Sequence, residues 1–202
     1  MKALNSIQEI IEKAQKLKNE EKFEEAIKLL QDLYQKKPNL EVIKKNLIDL
    51  LFSYGSYLND EYIVEHEKAI EIFKKIISLE PKNYKAHYNL GIAYFNLGQI
   101  ESALESYKVA IEIKPDYKFC YYNIGLAYES KNYLEEALKY YNCALDIDPK
   151  FPYAVHSREF VRKKIDSLAI EKGVTENTII CKNCGNINRL EAKFCDKCGN
   201  KL

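Results

Sequence analysis

The sequence predicts an all-α chain of stacked two-helix units followed by a small cysteine module. Three observations predict it. First, Tyr84–Tyr117 and Lys118–Phe151 align on each other at an offset of 34 residues, with matches at Asn89/Asn123, Gly91/Gly125, Tyr94/Tyr128, Ala103/Ala137, Tyr107/Tyr141, Ala110/Ala144 and Pro115/Pro149. Second, apolar residues inside each copy recur at three- and four-residue spacing, one face of a helix. Third, the last 22 residues hold four of the 6 cysteines as two CxxC pairs. Glycine (7) and proline (5) are too few for a collagen-like or disordered chain.

The first unit spans about 7–40. Counting back from Pro38 finds Ala14, Phe23, Ala26, Leu30 and Leu33 where the clear copies have their small and large apolar residues. The second spans 41–83. Ala69, Phe73 and Ile76 fit its second helix, and its first helix is expected over Glu41–Tyr54, ending at Gly55. That leaves nine residues in excess, read as a loop and an extra helical turn near 56–64, capped by Asn59 or Asp60. The third and fourth units are 84–117 and 118–151. Gly98 and Asn132 stand at their turns, since both tolerate left-handed backbone, and Pro115 and Pro149 stop the second helices. Residues 152–172 read as a capping helix with a charged outer face (Arg158, Arg162, Lys163, Lys164). A polar linker follows at 173–178, and the cysteine module occupies 179–202.

The repeated residues resemble the tetratricopeptide repeat, departing from its pattern at His87 and Tyr121, where that family has Trp. The resemblance implies a right-handed superhelical solenoid whose first helices line a concave groove. It places on that groove Lys45, Asn46, Lys85, Tyr88, Asn89, Ile92, Phe95, Phe119, Tyr122, Asn123 and Leu126. Asn46, Asn89 and Asn123 share the sixth place of successive units. An amide both donates and accepts, so a ladder of them can hold an extended peptide backbone; the alternative is that Asn is simply the family's residue there. Tyr88, Ile92, Phe95, Phe119, Tyr122 and Leu126 make the groove apolar, which favours a protein or peptide partner, unless the groove is narrow or covered by the capping helix with Tyr153. The family's clamp for a C-terminal carboxylate is not expected: the corresponding residues are Lys45, Asp49, Asn89, Phe119 and Asn123, of which Asp49 would repel a carboxylate and Phe119 and Asn123 stand where cations belong.

Cys181 and Cys184, then Cys195 and Cys198, each form a CxxCG knuckle with ten residues from Gly185 to Phe194 between them. Tetrahedral zinc takes four thiolates, two from each tight turn, and so short a segment needs the metal to fold. The stretch from Ala192 to Leu202 resembles a small prokaryotic zinc ribbon, which implies one structural zinc on these four cysteines. Iron or a redox dithiol are the alternatives. Cys120 and Cys143 read as small buried residues.

Function classes narrow accordingly. There are 31 Lys+Arg against 30 Asp+Glu, so a strong nucleic-acid footprint is not favoured. No apolar run suits a membrane span, and the polar, acidic start argues for a cytoplasmic protein. No nucleophile elbow, phosphate loop or HExxH motif is present, so catalysis is not expected. The reading is a non-catalytic adaptor or scaffold with the ribbon as a second docking module. Its rivals are a nucleic-acid-associated regulator that uses the ribbon and a self-assembling structural protein; the oligomeric state is left open.

Overall fold

The computed structural model describes residues 2–171, 178–184 and 186–202. Among these, helices run in the order α1 (Lys2–Asn19), α2 (Phe23–Lys36), α3 (Glu41–Leu58), α4 (His66–Leu79), α5 (Tyr84–Asn96), α6 (Ile100–Ile113), α7 (Lys118–Ser130), α8 (Leu134–Ile147) and α9 (Pro152–Glu171). Two short strands follow, β1 (Thr178–Ile180) and β2 (Ile187–Arg189). Most of the expected linker, 173–177, and the knuckle glycine Gly185 lie outside the described residues. Each helix packs against the next in sequence, and first helices also touch across units in α1–α3, α5–α7 and α7–α9. The result is a solenoid of helix pairs with no single centre, each pair burying its apolar stripe against its neighbours. No described helix is long and apolar enough to cross a membrane.

The repeated residues do repeated jobs. Ala26, Ala69, Ala103 and Ala137 are fully buried where the two helices of a pair cross. Beside them Leu30, Phe73, Tyr107 and Tyr141 fill the space, all at most 2% exposed. The rings of Tyr107 and Tyr141 lie close against Gly91 and Gly125 of the preceding helix. His87 and Tyr121, at the family's Trp position, reach back to the carbonyls of Pro81 (2.9 Å) and Pro115 (3.0 Å). Each thus ties a first helix to the turn that precedes it.

All four units turn alike. Glu21, Val64, Gly98 and Asn132 have φ of 59°, 56°, 73° and 60°, and each stands two residues before its unit's second helix. Gly98 and Asn132 are the expected residues for this left-handed conformation. Glu21 and especially the β-branched Val64 are not, and they adopt it because the pairing of the helices demands the same turn.

The second unit differs from its sequence-based expectation. Helix α3 does not end at Gly55; it continues to Leu58, and Asn59 closes its C-terminus instead of capping α4. Gly55 is not a turn residue either. It is buried in the helix with the Phe73 ring against it, where an added Cβ would meet the ring at 2.9 Å. It is therefore the counterpart of Gly91 and Gly125. Ring contacts confirm that register: Phe52–Phe73 (6.1 Å between centroids) repeats as Tyr88–Tyr107 (6.0 Å) and Tyr122–Tyr141 (5.7 Å). The excess near 56–64 is consequently distributed otherwise. Gly55 lies fourteen residues after the start of α3, whereas Gly91 lies seven after the start of α5, so α3 has two extra turns at its N-terminus. The other two extra residues lie between Gly55 and α4, and because α3 ends sooner after its glycine than α5 does, the connector to α4 runs to seven residues against three in the other units.

Candidate functional site

The corrected register re-sorts the groove residues. Ser53, not Asn46, is the counterpart of Asn89 and Asn123, so the asparagine ladder has two equivalent rungs. Seven residues are close to two full helical turns, so Asn46 still shares the face of Phe52 and Ser53, displaced along α3 by about 10 Å at 1.5 Å per residue. Its amide donates to its own helix at the Val42 carbonyl (2.8 Å), and Asn89 does the same to Lys85 (2.8 Å). Asn123 instead crosses to the preceding unit and donates to the Tyr88 hydroxyl (3.2 Å). An amide has two N–H groups and an acceptor oxygen, so the bonds of Asn46 and Asn89 use one donor and leave the rest of the amide for another partner, while Asn123, which also bonds the Tyr107 hydroxyl, keeps part of its amide.

Tyr88, Ile92, Phe95, Asn123 and Leu126 do come together. With Tyr107 and Asn96 they line a hollow of about 330 Å³ between α5 and α7. Burial raises the Tyr88 phenol well above its ordinary range, and the Tyr107 phenol likewise, so both stay protonated at any physiological pH. The hollow therefore presents apolar walls, neutral hydroxyls and two amides. Tyr107 escaped the sequence reading, in which it only fills space between the helices, whereas Asn96 stands on the groove face that the family resemblance implies. In fact Asn96 also donates to Asn59 of the preceding unit (3.3 Å).

Lys45 and Lys85 lie in a second hollow of about 560 Å³ between α3 and α5, together with Asp49, Phe52, Glu41 and Glu80. Cations and carboxylates are mixed there. Phe119 and Tyr122 join neither hollow; they pack edge-on against Phe151, and Tyr122 also meets Tyr153 (5.9 Å). Phe119 is still 37% exposed, so the apolar wall continues onto the start of α9.

The four C-terminal cysteines converge, and their sulfurs all lie within 4.8 Å of one another. Cys181 and Cys198 are 3.6 Å apart and Cys184 and Cys195 are 3.5 Å apart, pairing the two knuckles crosswise. A tetrahedron with Zn–S bonds of 2.3 Å has edges of about 3.8 Å, so the donor set fits such an ion. β1 and β2 pair antiparallel, with Ile179 opposite Asn188, and carry the first knuckle between them. The Cys195 amide donates to Asn200 (2.7 Å), and Gly199 has the left-handed φ of 72° that its place after the second pair requires. Burial alone would raise the Cys195 thiol, but backbone N–H groups of Cys198 and Lys197 outweigh it and draw it down to about 6. Cys198 is also lowered, first by the Asn200 backbone. Cys184 has a backbone hydrogen bond from Asn186 that lowers it, yet burial and the three neighbouring sulfurs push it up to about 12. Four thiols so close cannot all ionise without a cation among them.

Asn188 is the residue that sequence reading missed here. It is 3% exposed. Its oxygen accepts the Asp196 amide from the second knuckle (2.8 Å), and its nitrogen donates to the Asn186 carbonyl (2.8 Å) beside the first. One buried amide thus fixes the two knuckles against each other. Its only sequence signal is a polar residue at the strand position facing inward. Of the two remaining cysteines, Cys120 is fully buried and burial pushes its thiol up to about 12, whereas Cys143 is only half-buried.

Known families match these segments. The tetratricopeptide repeat profile matches residues 84–117 and 119–151, a TPR repeat profile matches 65–98, and a zinc-ribbon domain profile matches 180–202. No curated protein matches the chain by sequence. Among solved structures, that of MamA is 25% identical with a TM-score of 0.59, over 80% of this chain and 85% of that one. The first TPR of Spaghetti (RPAP3), bound to the HSP90 peptide SRMEEVD, is 23% identical with a TM-score of 0.54, over 59% of this chain and 93% of that one. YrrB, described as a TPR protein with an unusual peptide-binding site, is 19% identical with a TM-score of 0.53, over 78% of this chain and 96% of that one. The chain thus carries tetratricopeptide repeats within residues 65–151 and a zinc-ribbon domain at 180–202.

Proposed function

We propose that this protein is a non-catalytic adaptor that holds a peptide or helix of a protein partner in its concave groove, with a zinc-folded ribbon as a second docking module. The observation that carries the reading is the apolar hollow of Tyr88, Ile92, Phe95 and Leu126, with Asn123 and Asn96 at its rim. Apolar walls with a few placed polar groups are what a side chain of a bound segment requires. The free valences of Asn89 and Asn123 suit its backbone. Lys45, Asn46 and Lys85 would meet the segment where it runs toward the second unit, and Phe119 and Tyr122 where it runs toward α9. With Asp49 among the groove residues and Phe119 in place of a cation, a partner other than a carboxylate-terminated tail is favoured. Zinc is assigned to Cys181, Cys184, Cys195 and Cys198 on their sulfur chemistry and spacing, as a structural ion that supplies the ribbon's folding energy. The near balance of charge supports a protein partner over nucleic acid, and the chain's place of work is taken to be the cytoplasm.

The test is capture of partners by the zinc-loaded protein from native lysate, with and without nuclease, beside an Asn89→Ala/Asn123→Ala variant. A protein retained after nuclease and lost from the variant supports the groove. Material lost on nuclease treatment and kept by the variant refutes it in favour of a nucleic-acid regulator working through the ribbon.

A further inference from the structure

A third hollow, of about 560 Å³, opens where the start of α2 meets the end of α3 and the connector to α4. Its walls are aromatic and its rim is acidic. Phe23 stacks on Tyr54 (5.1 Å) and tilts against Tyr57 (5.2 Å). On the connector, Tyr62 is 85% exposed, and neighbouring Ile63 and Val64 are exposed as well. Large apolar side chains clustered at a surface mark an interaction site. Glu21, Glu24, Glu25 and Glu65 line the same hollow, and Asp60 and Glu61 flank Tyr62. The two lysines of the hollow are already engaged, Lys22 with Glu20 (2.8 Å) and Lys68 with Glu65 (2.7 Å). Glu21, Glu25 and Glu61 have no ion pair among the described residues. The surface asks for a basic edge carrying apolar side chains.

The ribbon is such an edge. Leu190 is 55% and Phe194 59% exposed, each beside a cation, Arg189 and Lys193, that is also exposed. Lys182, Lys197 and Lys201 extend the same charge over the surface, against Glu191, Asp196 and the net negative charge that four thiolates leave around a bound zinc.

We propose that copies of this chain associate head to tail, the acidic aromatic hollow of one copy receiving the Arg189–Phe194 edge of the ribbon of the next. The two surfaces differ, so the contact is heterologous and need not close; it generates an open series whose length grows with concentration. Like charges forced together at such a contact oppose it, so reversal of two charges on either side weakens it by on the order of a hundredfold or more. The groove takes no part, and Asn89→Ala/Asn123→Ala leaves association unchanged.

The experiment is sedimentation velocity of the full, zinc-loaded chain from micromolar to hundreds of micromolar, at low and high salt. Two variants are compared: Glu25→Lys/Glu61→Lys in the hollow and Arg189→Glu/Lys193→Glu in the ribbon. Tyr62→Ser and Phe194→Ser serve as uncharged counterparts. Far-UV circular dichroism and bound zinc establish that each is folded. The wild type should form a salt-sensitive series, and each variant alone should stay monomeric. A mixture of Tyr62→Ser and Phe194→Ser should stop at a one-to-one dimer, because only one intact hollow meets one intact ribbon, whereas a mixture of the two charge variants should regain the series, because their reversed charges complement each other again. A wild type that stays monomeric at low salt overturns the proposal and leaves the hollow to a basic partner other than this chain. Association that survives both folded charge variants overturns it too.

Discussion

Gly125 is the position where a single methyl group tests the packing most sharply. Replacing it by alanine should stabilise an isolated helix by about 1 kcal/mol. In this fold the added Cβ would lie 2.5 Å from Tyr141 Cε1 and 2.6 Å from Cδ1. Carbon atoms in contact prefer about 3.5–4.0 Å, so ring or helix must yield by roughly 1 Å. The ring has nowhere to go. Tyr141 is fully buried, and its hydroxyl is held by Glu129, one turn further along the same helix as Gly125. Overpacking of this kind costs about 1–3 kcal/mol, and the closeness of the contact places it at the upper end. Gly125→Ala is therefore expected to destabilise by about 2 kcal/mol net of the gain in helix propensity. Denaturant unfolding followed by far-UV circular dichroism reads the change. The first unit supplies the rescue, because there Ala14 and Leu30 occupy the equivalent positions, both 2% exposed. Gly125→Ala/Tyr141→Leu should recover more than half of the loss suffered by Gly125→Ala. A neutral or stabilised Gly125→Ala would mean that propensity outweighs packing, and would refute the close-approach reading of all three helical glycines.

Other consequences follow from single contacts. Val64 holds a φ of 56° while 56% exposed, so Val64→Asn should stabilise by about 1 kcal/mol by relieving a left-handed β-branched residue, read as a higher denaturation midpoint. Gly98→Ala has nothing within 4 Å of the new Cβ, yet its φ of 73° should make it about 1 kcal/mol less stable. Asn188→Ala removes the link to the Asp196 amide and should weaken zinc binding by roughly 10- to 100-fold, measured by competition with a chromophoric chelator. Zinc displaces thiol protons, so its affinity should fall as pH falls, and acid or a chelator should abolish amide protection in 180–202 while α1 to α9 keep theirs in hydrogen exchange.

Much of this architecture was legible because the repeat writes it many times. The alanines of the second helices and the glycine–tyrosine pairs recur at one spacing, and each recurrence constrains the others. The four cysteines were legible for another reason: a metal site depends on donor type and spacing, both of which are visible in a line of text. The asparagine ladder was read less well. Asn89 and Asn123 share a register position but spend their amides differently, one on its own helix and one across units, and only the distance to Tyr88 decides between them.

The amino-acid sequence by itself determined the all-α repeat, its period and the cysteine knuckles, since these rest on local spacing. The tertiary structure alone decided where the excess residues of the second unit go. A seven-residue shift is nearly two helical turns and leaves the same residues on the same face, so the periodicity of α3 cannot register it. Glycine, too, reads equally as a turn or as a close approach. Only the Phe73 ring, arriving from the next helix to lie against Gly55, shows which it is.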